Sequence, residues 1–419
     1  MANRNIMILF ISVISYLYNF YASTFATYHM NNYSIGLNIS LSKCLRSDFG
    51  IAARGCLWYN TRTHMTLDEL RQEIDRIDAQ IVELLKQRMG CVHAVGEIKK
   101  GSNSHIFVPE RESKLFAKLM NNNAGVLPEK GLQSVYRQIV SMSFALEGGM
   151  KVGYLGPEGT WSHQAAKGRF GDSVELVPFP SFNHIFHAVD RKEVDYGIVP
   201  VENSTDGTVS QALDLLGAKG LRICAQVHQP VLNCLMSNAA PSDICTIYSH
   251  PQALGQCREW LLQHYPNAAL VATSSTAAAA RRAAEEAQQG AAAIGSKISG
   301  ELYGLKLVSA NIQDKSDNTT RFAVIGRQHN APSGKDRTTI CFGVPHRAGS
   351  LVTILNIFKS HGVNIFCMDS RPNRDTAWEY LFYMDVEGHE DEEPLKTCLH
   401  ELHNRTPKFK ILGSYPDEH

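Results

Sequence analysis

The chain has 419 residues, with 41 basic and 41 acidic side chains and a formal net charge of zero. That length holds about two to four domains with separate cores, and the balanced charge offers nucleic acid no global attraction. The composition is 44% hydrophobic and 20% charged, ordinary for a globular protein. The ten cysteines contain no C-x-x-C pair. This sets aside zinc-ribbon and thioredoxin-type sites and leaves reduced core thiols of a cytoplasmic protein as the simplest reading.

Residues 1–64 differ from the remainder of the chain. An apolar run from Ile6 to Tyr16 stands behind Arg4 and ahead of Ser23, Thr24 and Ala26, a pattern compatible with a signal-peptidase site. The run is too short and too interrupted for a membrane span. Residues 31–64 carry no periodic pattern. Three readings stay open: Met65 as the true start, a signal peptide, and a disordered appendage.

At Met65 the pattern becomes regular. Thr66 and Glu69 have capping-box spacing, with Asp68 in the first turn. Apolar residues at 67, 70, 74, 77, 81, 84, 85, 89, 92 and 95 predict one helix over 66–100. At ~1.5 Å per residue it is about 50 Å long, more than one small domain covers, so it needs a bundle or a partner chain. Further helices are predicted over 110–121 and 128–146, closed by Gly148 and Gly149. Arg88 and Lys99 share nearly one face about 16 Å apart, within reach of one small dianion. Arg71 lies on another face about 25 Å from Arg88, so a partner helix would have to bring it close. Ser143 and Glu147 share a face at i, i+4. The bland alternative is a solvated charged face.

From Lys151 short strands alternate with helices. Strands are predicted over 151–154, 174–178, 196–200, 246–248 and 292–294, with an alanine-rich helix over 274–288, which makes an α/β domain. LGPEGTWSH (155–163) follows a strand and opens a helix, with glycines that let backbone N–H groups approach an anion. It lacks the lysine of a nucleotide-binding loop. VPVENSTDGTV (199–209) and YSHPQALGQC (248–257) place polar groups after strands, and NTTRF (318–322) sets hydroxyls and an arginine before another strand. Such strand ends carry ligand sites in α/β domains, and capped turns are the alternative for each. His163 and His250 each follow a serine at a turn and read equally as caps. A polar linker spans 328–336, and the final segment reads strand, helix, strand, strand, helix, strand, which suits a ferredoxin-like module. There, RAGSLVTILNIF (347–358) exposes N–H groups at a small-residue turn before a helix, and DSRP (369–372) follows the next strand.

LRQEIDRIDAQIVELLKQRMGCVHAVGEIKK, PERE and VYRQIVSMSFALE resemble the all-helical chorismate mutase domain. The four α/β motifs resemble prephenate dehydratase, and the last segment resembles the ACT domain of phenylalanine-inhibited dehydratases. The order is that of the bifunctional P-proteins. The resemblance implies an extension (1–64), an all-α mutase bundle (65–149), a two-lobed periplasmic-binding-protein-like α/β dehydratase domain (150–328) and an α+β ferredoxin-like ACT domain (337–416).

It implies a cytoplasmic enzyme of phenylalanine biosynthesis that acts on chorismate and prephenate. Phenylalanine would be its effector, and it would be at least a homodimer, with no cofactor, metal, nucleic acid or membrane partner. For the mutase the resemblance implies that Arg88, Lys99, Arg111 and the partner chain's copy of Arg71 hold carboxylates. Glu112 and Ser143 would bind the substrate's hydroxyl side, with the backbone of Val108 as a further candidate, and Lys99 and Glu147 would flank the ether oxygen. Some relatives have glutamine at 147. A glutamate that donates there must be protonated, so mutase activity is expected to fall as pH rises.

For the dehydratase it implies Thr320 as the catalytic hydroxyl, and Glu202 is the candidate to support it. Arg321 and the backbone from Gly156 through Gly159 to Thr160 are the candidates for the carboxylates, and Asn203, Ser204, Ser249 and Gln256 for the polar lining. Gly349, Ser350, Leu351 and Asn364 would contact phenylalanine, with two chains sharing each site. The rival readings are a dehydratase with an inactive mutase domain, a non-catalytic amino-acid sensor, and an exported binding protein.

Overall fold

The computed structural model describes residues 65–102, 105–205, 207–345, 347–372 and 380–418. The readings of residues 1–64 lie outside the described residues.

The capping box forms as expected: Thr66 N donates to Glu69 Oε2 at 2.7 Å, and Glu69 N to Thr66 Oγ1 at 3.3 Å. It opens α1 (Leu67–Ser102), which has Asp68 and Glu69 in its first turn and Lys99 and Lys100 in its last, matching the helix dipole. α2 (Pro109–Asn123) starts on a proline, and α3 (Glu129–Leu146) runs into Gly148 and Gly149, both at positive φ. α3 packs on α1 and α2. Leu67, Ile74, Ile81 and Leu84 of α1 stay 48–64% exposed. They form a contiguous apolar stripe of the kind that marks a contact surface.

The α/β region begins with β1 (Lys151–Leu155), α4 (Trp161–Phe170), β2 (Glu175–Phe179), α5 (Phe182–Asp190), β3 (Tyr196–Asn203), β4 (Gly207–Thr208), α6 (Ser210–Ala218) and β5 (Arg222–Pro230). The chain then enters a second sheet through β6 (Cys234–Ser237), β7 (Thr246–Ser249), α7 (Pro251–Gln256), α8 (Arg258–His264), β8 (Ala269–Ala272), α9 (Thr276–Glu285), β9 (Ala291–Gly295), α10 (Lys297–Tyr303) and β10 (Lys306–Ser309). It returns to the first sheet as β11 (Thr319–Gly326). The sheet orders are β2-β1-β3-β11-β5, with β4 on β3, and β10-β6-β9-β7-β8. Two crossings between two sheets make the two lobes. β11 lies antiparallel between β3 and β5, so Thr320 and Arg321 sit within a strand rather than before one. Glu202 and Asn203 likewise belong to the end of β3 rather than following it.

The last region holds β12 (Asp336–Gly343), α11 (Ser350–His361), β13 (Ile365–Pro372), β14 (Tyr380–Glu387), α12 (Leu395–Arg405) and β15 (Phe409–Pro416). Its sheet, β13-β14-β12-β15, is antiparallel throughout, the ferredoxin-like order. Residues 369–372 end β13 instead of following it. Ile340, Phe342, Ile354, Phe358, Met384 and Leu399 fill the core between this sheet and its helices. β15 crosses β5 closely: a Cβ on Gly413 would stand 2.2 Å from the Ile223 carbonyl oxygen.

The expected polar linker contains a buried polar node. Gln328, Asn330 and Asp336 are about 5% exposed or less, and Asn330 Nδ2 donates to the carbonyls of Cys224 and Ser414 at 2.8 Å each. Buried amides must find partners, and these ones join β5 to β15.

Candidate active sites

The three helices enclose a cavity of about 350 Å³. Arg88, Lys99, Val108, Arg111, Glu112, Ser143 and Glu147 all line it, with Val92, Val95, Leu115 and Phe144 as apolar wall. Arg88 Nη1 donates to Ser143 Oγ at 2.7 Å, and Ser143 donates on to the Ile139 carbonyl. Lys99 Nζ meets Glu147 Oε2 at 2.6 Å and the Ile106 carbonyl at 3.2 Å. Glu147 is thus an acceptor from Lys99. Gly96 lets α1 approach, since a Cβ there would lie 3.0 Å from Glu147 Cα. Glu112 is nearly buried, and its Oε1 takes both Arg137 and Arg169. Burial works against its charge, but Arg169 and Arg137 outweigh that and hold its carboxyl below the usual range. Arg71 does not join the others within one chain: it is exposed and pairs only loosely, at 3.5 Å, with Asp68.

The cleft between the lobes is larger, about 870 Å³. Gly156, Thr160, Asn203, Gln256 and Thr320 line it, as do His250, Gln252, Trp161, Phe179, Ser275, Thr276 and Phe322. Asn203 Nδ2 donates to Thr320 Oγ1 at 2.8 Å, across a pair that is in register between β3 and β11. The Thr320 proton has no acceptor among the described residues. No lysine or arginine is among the described lining residues.

Two helix N-termini open on the cleft instead. Thr160 caps α4 by accepting from His163 N, and Ser275 caps α9 by accepting from Ala278 N. The first N–H groups of each helix have no intrahelical acceptor, which makes an anion-binding surface. His250 caps α7 by accepting from Gln252 N, and burial keeps its imidazole pKa below the usual value. His163 accepts from Gly159 N and stacks on Tyr154 at 5.0 Å.

Several expected cleft residues lie elsewhere. Side chains alternate along a strand. Thr320 and Phe322 therefore face the cleft, and Arg321 faces the other way. Arg321 pairs with Glu202 (Nε–Oε2 3.0 Å) and with Asp385 of β14 (Nη1–Oδ2 2.7 Å). Arg321 is thus not placed to hold substrate carboxylates, and Glu202, its cross-strand partner, is not placed to support Thr320. Ser249 is fully buried and donates to the Ile294 carbonyl at 2.8 Å. Ser204 is exposed, accepts from Thr319 N at 3.0 Å and is outside the lining. The Gly159 N–H is spent on His163 and its carbonyl on Ser296 Oγ at 2.9 Å, and its φ of 86° shapes the loop.

In the last region Gly349, Ser350 and Leu351 line a pocket of about 200 Å³ with Arg347, Tyr380 and Phe382. Asn364 is absent from that lining and follows the far end of α11, so one chain does not bring it to Gly349. The same region grips α6 at both ends. Arg371 of β13 donates to Ser210 Oγ and to the Thr208 carbonyl (3.4 Å). Lys410 of β15 donates to the carbonyls of Leu216 (2.7 Å), Gly217 (2.9 Å) and Lys219. Val209, just before α6, lines the cleft.

Three family models match in succession: chorismate mutase type II over residues 70–148, prephenate dehydratase over 152–330 and the ACT domain over 338–404. The bifunctional chorismate mutase/prephenate dehydratase of Aquifex aeolicus is 41% identical over 355 residues, 84% of this chain and 98% of that relative. The chain belongs to the bifunctional chorismate mutase/prephenate dehydratase family.

Two solved structures also resemble it, and together they separate fold from reaction. One is the prephenate dehydratase of Arthrobacter aurescens in complex with L-Phe (33% identity, TM-score 0.60, 64% of this chain and 90% of that chain). The other is GqqA, named as a quorum quenching acylase (28% identity, TM-score 0.59, 64% and 98%). Fold alone therefore does not specify the chemistry.

For this member of the bifunctional family, sequence reasoning missed the Ser275–Thr276 wall, although the TSST run before the alanine-rich helix is a capping signal. It also missed Arg137 and Arg169 as partners of Glu112. His329, His389 and Asp391 bring ligand-type atoms within 4.8 Å of one another. However, His389 Nε2 donates to the Asn330 carbonyl and its Nδ1 accepts from Asp391 N. That ring has no lone pair left for a metal.

Proposed function

We propose that the helical cavity rearranges chorismate to prephenate and that the cleft converts prephenate to phenylpyruvate. The observation that carries this is the presence in one chain of two separate pockets, one with convergent cations and one with a paired threonine, in the family's order. A non-catalytic sensor or an exported binding protein would have no use for the first pocket.

The mutase step is a pericyclic rearrangement within one molecule, so no nucleophile is needed. Arg88 and Arg111 would hold the carboxylates and fix the compact conformer, with Arg71 of a second chain completing the site. The exposed stripe on α1 supports such a homodimer. Lys99 would stabilise charge growing on the ether oxygen. Glu147, which accepts from Lys99 Nζ at 2.6 Å, would aim that ammonium at the same oxygen. Glu147→Ala is therefore expected to lower mutase kcat/KM by about tenfold or more, and an unchanged kcat/KM would remove this role. Chorismate left unconsumed by wild type would instead leave a dehydratase whose mutase domain is inactive.

In the cleft, the bond to the departing carboxylate breaks and its electron pair enters the ring. The ring hydroxyl leaves as water after taking one proton, with carbon dioxide as the other product. Asn203 donates to Thr320 Oγ1, which leaves the threonine proton directed at a leaving hydroxyl. A threonine is a poor acid, so it would act as hydrogen-bond donor and relay. The N-termini of α4 and α9 would hold the carboxylates, with Gln256 and Thr160 in the polar wall. Phenylalanine would bind beside Gly349, Ser350 and Leu351, with Asn364 from a second chain, and act on the cleft through the grip on α6. The free thiols of the described cysteines suit the reducing cytoplasm.

The test follows chorismate and phenylpyruvate with wild type and Thr320→Ala. Wild type should make phenylpyruvate. The variant should stop at prephenate, with dehydratase kcat lower by about 10²-fold or more. No chorismate consumption and no phenylpyruvate from added prephenate in wild type would overturn the reading.

A further inference from the structure

Two guanidinium groups meet the Glu112 carboxylate, and they come from different regions of the chain. Arg137 belongs to α3, whereas Arg169 lies in the last turn of α4, in the two-lobed region. Both engage Oε1, and Oε2 takes no partner among the described residues. Glu112 lines the mutase cavity, so Oε2 is the oxygen open to a ligand.

Arg169 is built into the junction. Its side chain is 2% exposed, its guanidinium lies 5.1 Å from the centre of the buried Phe107 ring, and Nη2 is 3.3 Å from Glu418 beyond the end of β15. The loop after α4 is docked on the same helix that carries Ser143 and Glu147. Asp172 N donates to Gln138 Oε1 at 3.1 Å and Ser173 N to Ser141 Oγ at 2.9 Å. A Cβ on Gly171 would stand 2.5 Å from Ser141 Cβ, so the backbone itself makes the contact.

We infer that Arg169 is a positioning residue of the mutase pocket, so that the dehydratase region completes a site whose ligand-facing groups lie in the helical region. The inference rests on the mutase reading above. Held at Oε1 by two cations, Glu112 keeps Oε2 as a fixed acceptor for a substrate hydroxyl. With Arg169 removed, Arg137 alone holds Oε1, and the carboxylate loses the second contact that fixes the direction of Oε2.

The test uses full-length chain carrying Arg169→Met, Arg169→Lys, Glu112→Gln, or Arg169→Met with Glu112→Gln. Chorismate consumption and phenylpyruvate formation from added prephenate are measured separately. Arg169→Met should raise mutase KM about tenfold or more with a smaller change in kcat, because the lost contact is made in ground and transition states alike. Phenylpyruvate formation should stay within about twofold, since Arg169 lies about 12 Å along α4 from the cleft end. Arg169→Lys should recover part of the loss. Adding Arg169→Met to Glu112→Gln should change mutase KM no further, since the two act as one unit.

An unchanged mutase KM in Arg169→Met overturns the inference, as do additive losses in the double variant. A parallel fall of both activities in the Met and Lys variants does the same. If wild type itself consumes no chorismate, it is the mutase reading that fails.

Discussion

The helical cavity and the interlobe cleft are proposed to bind isomeric dicarboxylates, yet they are built from opposite materials. The cavity gathers Arg88, Lys99 and Arg111. The cleft has no lysine or arginine among its described lining residues and offers helix N-termini and hydroxyls. The proposed reactions account for the contrast. Chorismate keeps both carboxylates through its rearrangement, so fixed cations do not oppose any step. Prephenate loses one carboxylate as carbon dioxide. A strong ion pair to that group would stabilise the ground state more than the transition state and slow the reaction. Neutral donors hold the anion without that penalty.

The comparison breaks most visibly at Arg88. Arg88→Ala should lower mutase kcat/KM by about 10³-fold or more, because it removes a partly buried cation and frees Ser143. Phenylpyruvate formation from added prephenate is the control, and it should persist. Loss of both activities would show that the pockets are not independent.

Arg321→Met tests the cleft's neutrality from the other side. If Arg321 is a structural link to Asp385, the KM for prephenate should change by less than about threefold, while unfolding stability falls by about 1–3 kcal/mol, because buried Asp385 loses its nearest cation and keeps only the longer pair to Arg337 at 3.7 Å and the bond from Thr339. Denaturant melts and prephenate kinetics on the same variant decide it. A large KM rise without destabilisation would return Arg321 to the substrate.

The smallest effect is the sharpest discriminator. Raising ionic strength from 0.05 to 0.5 M, about a threefold fall in Debye length, should raise the mutase KM by about two- to fivefold and move the dehydratase KM less. Equal salt sensitivity would contradict the difference in construction.

Much of both sites was readable because their signals are local or periodic. The capping box at Thr66, the shared face of Arg88 and Lys99, and the i, i+4 pair Ser143 and Glu147 follow from helix geometry alone. The ferredoxin-like order of the last region follows from alternation and turn residues. Strand alternation was equally available at Thr320–Arg321–Phe322. Once β11 is recognised as a strand there, Arg321 must leave the face that Thr320 occupies.

What the chain's pattern could not contain was register and docking between distant segments. Asn203 supports Thr320 because β11, after a long excursion through the second sheet, returns antiparallel beside β3 with those two residues opposed. Glu112 meets Arg169, 57 residues away, because α4 docks on the helical region. Asn330 ties Cys224 to Ser414, turning a polar linker into a buried joint. Periodicity and turn chemistry were enough for the elements, their order and the residue types each pocket has to offer. Which polar groups face a ligand and which are spent on one another emerged with the folded chain, because burial and cross-strand pairing, not spacing along the chain, set the partner of each charge.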